Sequence, residues 1–159
     1  MSGGAPAIGA AALIPNPALR PLEFLVGEWR TTGTHPMLSG DSLVGRTSFT
    51  WEQGGAFLVM RSQVDHPKIP DGLAIIGSDD GAGRFAMIYF DQRGVSRIFE
   101  VTLGEGTVTW RRDDPEFAQS VTLAAEEGGA RLIGTGSMSI KGGEWTDDLS
   151  QVYTRDGTS

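Results

Sequence analysis

From Trp29 to Arg155 the chain is a succession of short segments in which apolar and polar residues alternate, broken at near-even intervals by Gly, Asp or Pro. The segments are WRTTGTH, LVGRTSFTWEQ, FLVMRSQVD, LAIIGSDD, RFAMIYFD, SRIFEVTL, TVTWRR, FAQSVTLAAE, ARLIGTGSMSI and DLSQVYTR. Alternation with period two is the signature of a strand buried on one face. The connectors agree with hairpins: GGA at 54–56, DDGAG at 79–83, DQRG at 91–94, GEG at 104–106, EEGG at 126–129 and KGG at 141–143 supply the positive backbone angles that tight turns need. Strands in such number need partners on both edges, because an open edge templates aggregation. The expected fold is therefore all-β, a closed up-and-down antiparallel barrel of about ten strands. PLEFLVG at 21–27 adds a short N-terminal helical turn ended by Gly27.

A chain of 159 residues suits one domain. Residues 1–20 read as a flexible leader, 21–156 as a single barrel domain and 157–159 as a tail. The leader MSGGAPAIGAAALIPNPALRP has no basic start and several prolines, unlike a secretory signal. A net charge of -7 argues against nucleic acid and against anionic membrane surfaces, both of which need a basic footprint. No apolar run is long enough to span a bilayer as a helix. The absence of cysteine removes disulfides, thiolate metal ligands and thiol nucleophiles. The cytoplasm is the simplest location.

In a barrel, alternate residues face inward. One face of 96–103 carries Arg97, Phe99, Val101 and Leu103; Val108, Trp110 and Arg112 share a face, as do Phe117, Gln119, Val121 and Leu123, and then Leu149, Gln151, Tyr153 and Arg155. Each inward face is apolar with a polar group embedded in it. A desolvated polar group without a partner costs about 1–3 kcal/mol, so this pattern points to a cavity holding water or a ligand. An ordinary filled core, with the arginines snorkelling to solvent, remains the alternative. If the cavity exists, Arg97, Arg112, Tyr89, Gln119 and Gln151 orient a small, largely apolar ligand, and paired inward arginines favour an anionic one. Trp51, Phe57, Met60, Met87, Phe90, Phe99 and Trp110 are candidates for the apolar wall. RFAMIYFD is apolar on both faces, so one of them should meet a second copy of the chain, in a homodimer, or the N-terminal leader.

Gly27-x-Trp29 at the start of the first strand and Tyr153-x-Arg155 at the end of the last resemble the calycin superfamily of lipocalins, fatty-acid-binding proteins and their relatives. That resemblance implies that Trp29 plugs one end of the barrel and that Arg155 lies across its ring, a structural closure rather than a catalytic pair. PLEFLVGEWRTTGTHP at 21–36 is similar, within the superfamily, to the nitrobindin-like and DUF1579-like group, and the similarity covers Pro21 to Arg155. Some of these barrels carry ligands and others do chemistry. The nitrobindins hold haem through a histidine shortly before the closing arginine; here that place reads DDLSQVYTR. Asp147 and Asp148 are poor axial ligands for iron, so no haem and no other cofactor is expected.

The two histidines, His35 and His66, each precede proline, which holds the backbone extended. Neither sits in a metal-ligand spacing such as HxH or HExxH, so no metal site is expected. Asp65 is adjacent to His66 and points to the opposite face in a strand. Two functional readings follow: a carrier of a small molecule, and a cofactor-independent isomerase, lyase or cyclase in which His35 or His66 is the acid or base beside Tyr89. A filled barrel serving only as an interaction module is a third.

Overall fold

The computed structural model describes residues 14–79 and 84–156. Residues 1–13 and 157–159 of the expected leader and tail, and positions 80–83 of the DDGAG turn, lie outside the described residues. Among those described, ten antiparallel strands close in chain order: β1 (Gly27–Thr34), β2 (Leu43–Glu52), β3 (Phe57–Val64), β4 (Gly72–Asp79), β5 (Arg84–Asp91), β6 (Ser96–Gly104), β7 (Thr107–Arg112), β8 (Phe117–Glu126), β9 (Arg131–Ile140) and β10 (Thr146–Arg155). β1 pairs with β2 on one side and with β10 on the other, so Trp29 lies opposite both Thr47 and Arg155. Every strand has two neighbours, and the edge problem is removed.

The helical turn starts earlier than its prolines suggest. A 3-10 helix runs over Pro17–Leu25, with the Asn16 side chain accepting the Ala18 N–H and Pro17 at its first position, where a missing N–H costs nothing. Leu19, Leu22 and Leu25 are fully buried. Residues 17–20 thus form the first part of this helix, with Leu19 reaching into the barrel's floor. The chain leading into this helix lies against the β2–β3 turn, where Asn16 N–H donates to Gly55 O at 2.9 Å, and against the end of β4, where Asn16 Nδ2 donates to Ser78 Oγ at 2.8 Å.

The helix closes one end of the barrel because its leucines fill the space between Trp29, Phe49, Leu58, Ile76, Val108, Leu123 and Leu132. Burying each such side chain contributes about 1.5–3 kcal/mol. Trp29, fully buried, donates its indole N–H to Leu25 O at 2.8 Å, and Tyr153 meets its ring edge-on at 6.4 Å. Arg155 lies over the same ring, its Cζ 4.2 Å from the centroid. Its guanidinium donates to Val26 O at 2.8 Å, Phe24 O at 3.2 Å and Gly129 O at 3.0 Å. One cation thereby joins the first strand, the last strand, the end of the helix and the β8–β9 turn. Gly27 permits this approach. Its φ of +132° suits glycine, and a Cβ there would stand 2.7 Å from Arg155 Nη1.

The alternation expected for β6, β7 and β8 holds, with Arg97, Phe99 and Val101, then Val108 and Trp110, then Phe117, Gln119, Val121 and Leu123 facing in. On β5 the inward set is Phe85, Met87, Tyr89 and Asp91, while Ile88 and Phe90 face out and are 43% and 47% exposed. Ile88 pairs across the ladder with Ile98, itself 70% exposed. Phe90 is therefore not part of an inner wall.

Candidate functional site

Above the leucine floor the barrel is hollow. A cavity of about 440 Å³ is walled by Met60, Met87, Phe99, Trp110, Val121, Met138 and Tyr153, and reaches the end opposite the helix, where Met37, Lys68, Ile69, Pro70 and Arg93 form its rim. Thioether and aromatic side chains make an adaptable apolar wall. The polar groups gather toward the mouth.

Most of the expected ligand-binding residues meet here. Arg97, Tyr89, Gln119, Gln151, Phe99 and Trp110 all line the cavity, as does His35. Four others among the expected site and wall residues are placed elsewhere. Trp51 sits at the closed end beside Glu23, its indole N–H 3.4 Å from the carboxylate, in a separate surface hollow with Pro15 and Pro17. Arg112 turns to Asp114, with Nη2 3.2 Å from Oδ2. His66 lies on the rim outside the lining, with Nε2 3.1 Å from Asp41 Oδ2. Phe57 is half-buried at the start of β3 and does not line the cavity either.

A chain of hydrogen bonds crosses the mouth. Arg97 Nη1 donates to Gln119 Oε1 at 3.1 Å, Gln119 Nε2 donates to Asp148 Oδ2 at 2.9 Å, and His35 Nε2 donates to Asp148 Oδ1 at 2.9 Å. The His35 ring also accepts the Met37 N–H at Nδ1, 3.1 Å away. With Nδ1 used as an acceptor, the neutral ring carries its proton on Nε2. His66 repeats the pattern, accepting the Lys68 N–H at Nδ1 and donating to Asp41 from Nε2. Both rings therefore have both nitrogens engaged.

A second cluster lies under Arg93. Tyr89 donates its hydroxyl to Asp91 Oδ2 at 2.8 Å, and Arg93 Nη2 donates to the same oxygen at 2.7 Å. Hydrogen bonding from Arg93, and then from Tyr89, brings the Asp91 carboxyl down to about 2. Burial, and then the bond to Asp91, pushes the Tyr89 phenol well above its ordinary value. Tyr89 is thus a fixed hydrogen-bond donor rather than a base. Arg97 is shifted the other way, downward, by burial and then by the positive charges of Arg93 and Arg112. Its guanidinium lies 4.9 Å from the centre of the Phe117 ring and has an uncharged amide as its hydrogen-bond partner.

Asp148, Arg93, Lys68 and Met138 are cavity residues that the alternation did not supply. Asp148 was legible only as a poor replacement for a haem ligand. The ladder between β9 and β10 shifts register between Asp147 and Ser150, and this bulge lets Asp148 and Leu149, neighbours in sequence, both line the cavity. Nothing in the sequence marks that bulge. Arg93 belongs to the DQRG turn, where composition speaks of turn chemistry and conceals a charge that leans over the mouth.

The residues present do not fit a haem. The place in β10 where the resemblance puts an axial histidine holds Asp147 and Asp148, and the imidazole nitrogens of His35 are both occupied. Among the described residues no group of three or more His, Asp or Glu is arranged to hold a metal ion. No helix among them is long and apolar enough to cross a membrane.

No protein-family model matches the chain, and no curated protein matches it. Solved structures do. The crystal structure of Rv2717c from M. tuberculosis is similar with a TM-score of 0.61 at 16% identity, over 89% of this chain and 98% of that one. The S-type phycobiliprotein lyase CPES from Guillardia theta is similar with a TM-score of 0.57 at 11% identity, over 86% of this chain and 91% of that one. At these identities the likeness concerns architecture alone: an all-β, antiparallel up-and-down barrel closed by ten strands and floored by a 3-10 helix.

Proposed function

We propose that this barrel binds a small, largely apolar molecule in its cavity, without haem, as a carrier or store. The observation that carries the reading is the hollow of about 440 Å³ with an apolar wall and a polar mouth, inside a barrel whose other end is packed solid. A barrel serving only as scaffold gains stability by filling its interior, since voids forfeit dispersion contacts. The similarity in fold to a phycobiliprotein lyase supports a small-molecule ligand. The Gly27-x-Trp29 and Tyr153-x-Arg155 pair supports membership of the nitrobindin-like and DUF1579-like group, and the cytoplasm is the location proposed for it. The exposed strip of Ile88, Phe90 and Ile98 supports a homodimer.

Acid–base catalysis by an isomerase, lyase or cyclase is the second reading, favoured by His35 and Tyr89 lining the cavity. It asks for a free imidazole nitrogen, and His35 has none while Met37 and Asp148 hold it. The carrier reading is therefore preferred. Native mass spectrometry of freshly purified protein, with denaturing extraction and an absorbance scan through the haem region, tests it. A stoichiometric apolar small molecule is the expected result. A Soret band would overturn the exclusion of haem. Bare protein that also fails to take up any apolar probe would overturn the carrier reading.

A further inference from the structure

The outer wall of the barrel carries an apolar row. Ile75, Ile88 and Ile98 stand side by side across β4, β5 and β6, with Ile88 and Ile98 exposed to solvent. Leu73 and Phe90, opposite one another, extend the patch one row nearer the mouth. A contiguous apolar patch on an outer face marks a surface that meets another. Two charges bracket it. Arg61 on β3 ends the Leu73–Phe90 row, and Glu100 on β6 lies in the row on the other side, opposite Ala86. Neither forms an ion pair among the described residues: Arg111, the cross-strand neighbour of Glu100, turns instead to Asp113 and the Trp145 ring.

We infer that this face is one half of a two-fold dimer, in which Arg61 of each copy pairs with the partner's Glu100 across the Ile75, Ile88 and Ile98 row. This deepens the homodimer proposed above and rests on it. A closed dimer needs a patch that complements itself. A two-fold axis lying in the interface sets every position of one sheet opposite its reflection across that axis. The one line that exchanges Arg61 and Glu100 passes between Ile75 and Ile88, in the middle of the patch. From β3 to β6 the two charges are about 14 Å apart across the strands and about 13 Å apart along them. The axis therefore runs at about 45° to the strands, and the strands of the two copies cross at about 90°, one of the two arrangements in which sheets pack face to face. The same reflection seats Ile98 between the partner's Leu73 and Phe90, over an outer hollow that those two residues line together with Arg61. One axis thus satisfies the charges, the apolar row and the hollow at once.

The test measures the dimerisation constant of the full chain by sedimentation equilibrium, with far-UV circular dichroism to establish that each variant is folded. Ile98→Asp presses a carboxylate into an apolar seat and should weaken the dimer about 100-fold or more. Arg61→Glu and Glu100→Arg each set like charges against one another at both ends of the interface, and each alone should weaken the dimer about tenfold or more. Mixed in equal amounts, these two variants should form a heterodimer within about threefold of the wild-type constant, because each copy then meets its opposite charge at both ends. Should Ile98→Asp not fold, Ile98→Thr gives the same readout more weakly, and the charge variants stand without it. A mixture that associates no more tightly than the single variants overturns the Arg61–Glu100 axis. A dimer indifferent to Ile98→Asp and to both charge variants uses another face, which overturns this interface and leaves the homodimer reading intact. A wild-type chain that stays monomeric at every concentration overturns that reading as well; if deletion of residues 1–13 then releases a dimer, the occupant of the face is the leader and not a second copy.

Discussion

Replacing Arg155 with methionine removes the one side chain that joins both ends of the strand order to the floor of the barrel. Three guanidinium hydrogen bonds to the carbonyls of Phe24, Val26 and Gly129 are lost, together with the stacking on Trp29. The head of Arg155 is in contact with solvent, so each bond belongs at the lower end of the usual range, about 0.5–1 kcal/mol, and the cation–π contact contributes about 1 kcal/mol. The total is about 3 kcal/mol, roughly 6–12 °C in Tm for a domain of this size. Methionine retains the apolar stem, so the loss isolates the head group. Thermal unfolding followed by far-UV circular dichroism measures it. Arg155→Lys keeps the charge but cannot serve three carbonyls from one ammonium, and should recover less than half. A fall of under 2 °C for Arg155→Met, or full recovery by lysine, would refute the view that the fork's geometry holds the closure.

Other outcomes follow from the same structure. Gly27→Ala places a side chain at φ +132° and against Arg155 Nη1, and should cost about 1–3 kcal/mol in chemical denaturation. Asp91 is held at about 2, below the ordinary carboxylate value near 4. Its stabilisation is thus complete above pH 4 and lost as pH falls through 2. Because Arg93 is half exposed, the amount is about 1 kcal/mol after screening. Asp91→Asn should accordingly be less stable than wild type at pH 6 by that amount, and the gap should close by pH 2. His35→Ala removes the acceptor for the Met37 N–H, so that amide should exchange with solvent about tenfold faster or more in hydrogen-exchange measurements, with the floor amide of Val26 unchanged. Leu22→Ala, at a fully buried position of the floor, should cost about 2–5 kcal/mol.

The wall of the barrel could be read from the sequence because a period of two survives any error in the turns. Arg97, Phe99 and Val101 face one way whatever their neighbours do, and the same holds for Gln119 and Val121. What could not be read depends on contacts between distant residues or on breaks in the period. Asp148 meets His35 across 113 positions, and no local rule couples them. The bulge in β10 turns Asp148 inward against the count that runs back from Tyr153. Arg112 keeps its inward register but bends toward Asp114, two residues on, because a long side chain at a strand end chooses its own direction. The helix begins at Pro17 because proline is favoured at a first helical position, although the prolines of IPNPALRP equally suggest extended chain.

The two histidines tie the mouth in series. Asp148 on β10 holds His35, the loop that follows His35 supplies Asp41, and Asp41 holds His66 on the next loop. Because these are the only imidazoles in the chain, a nitrogen-15 spectrum of labelled protein contains two ring systems and nothing else in that region. Each starts as the Nε2-protonated tautomer, so the opening of each clasp would be timed separately, without a probe attached to the protein.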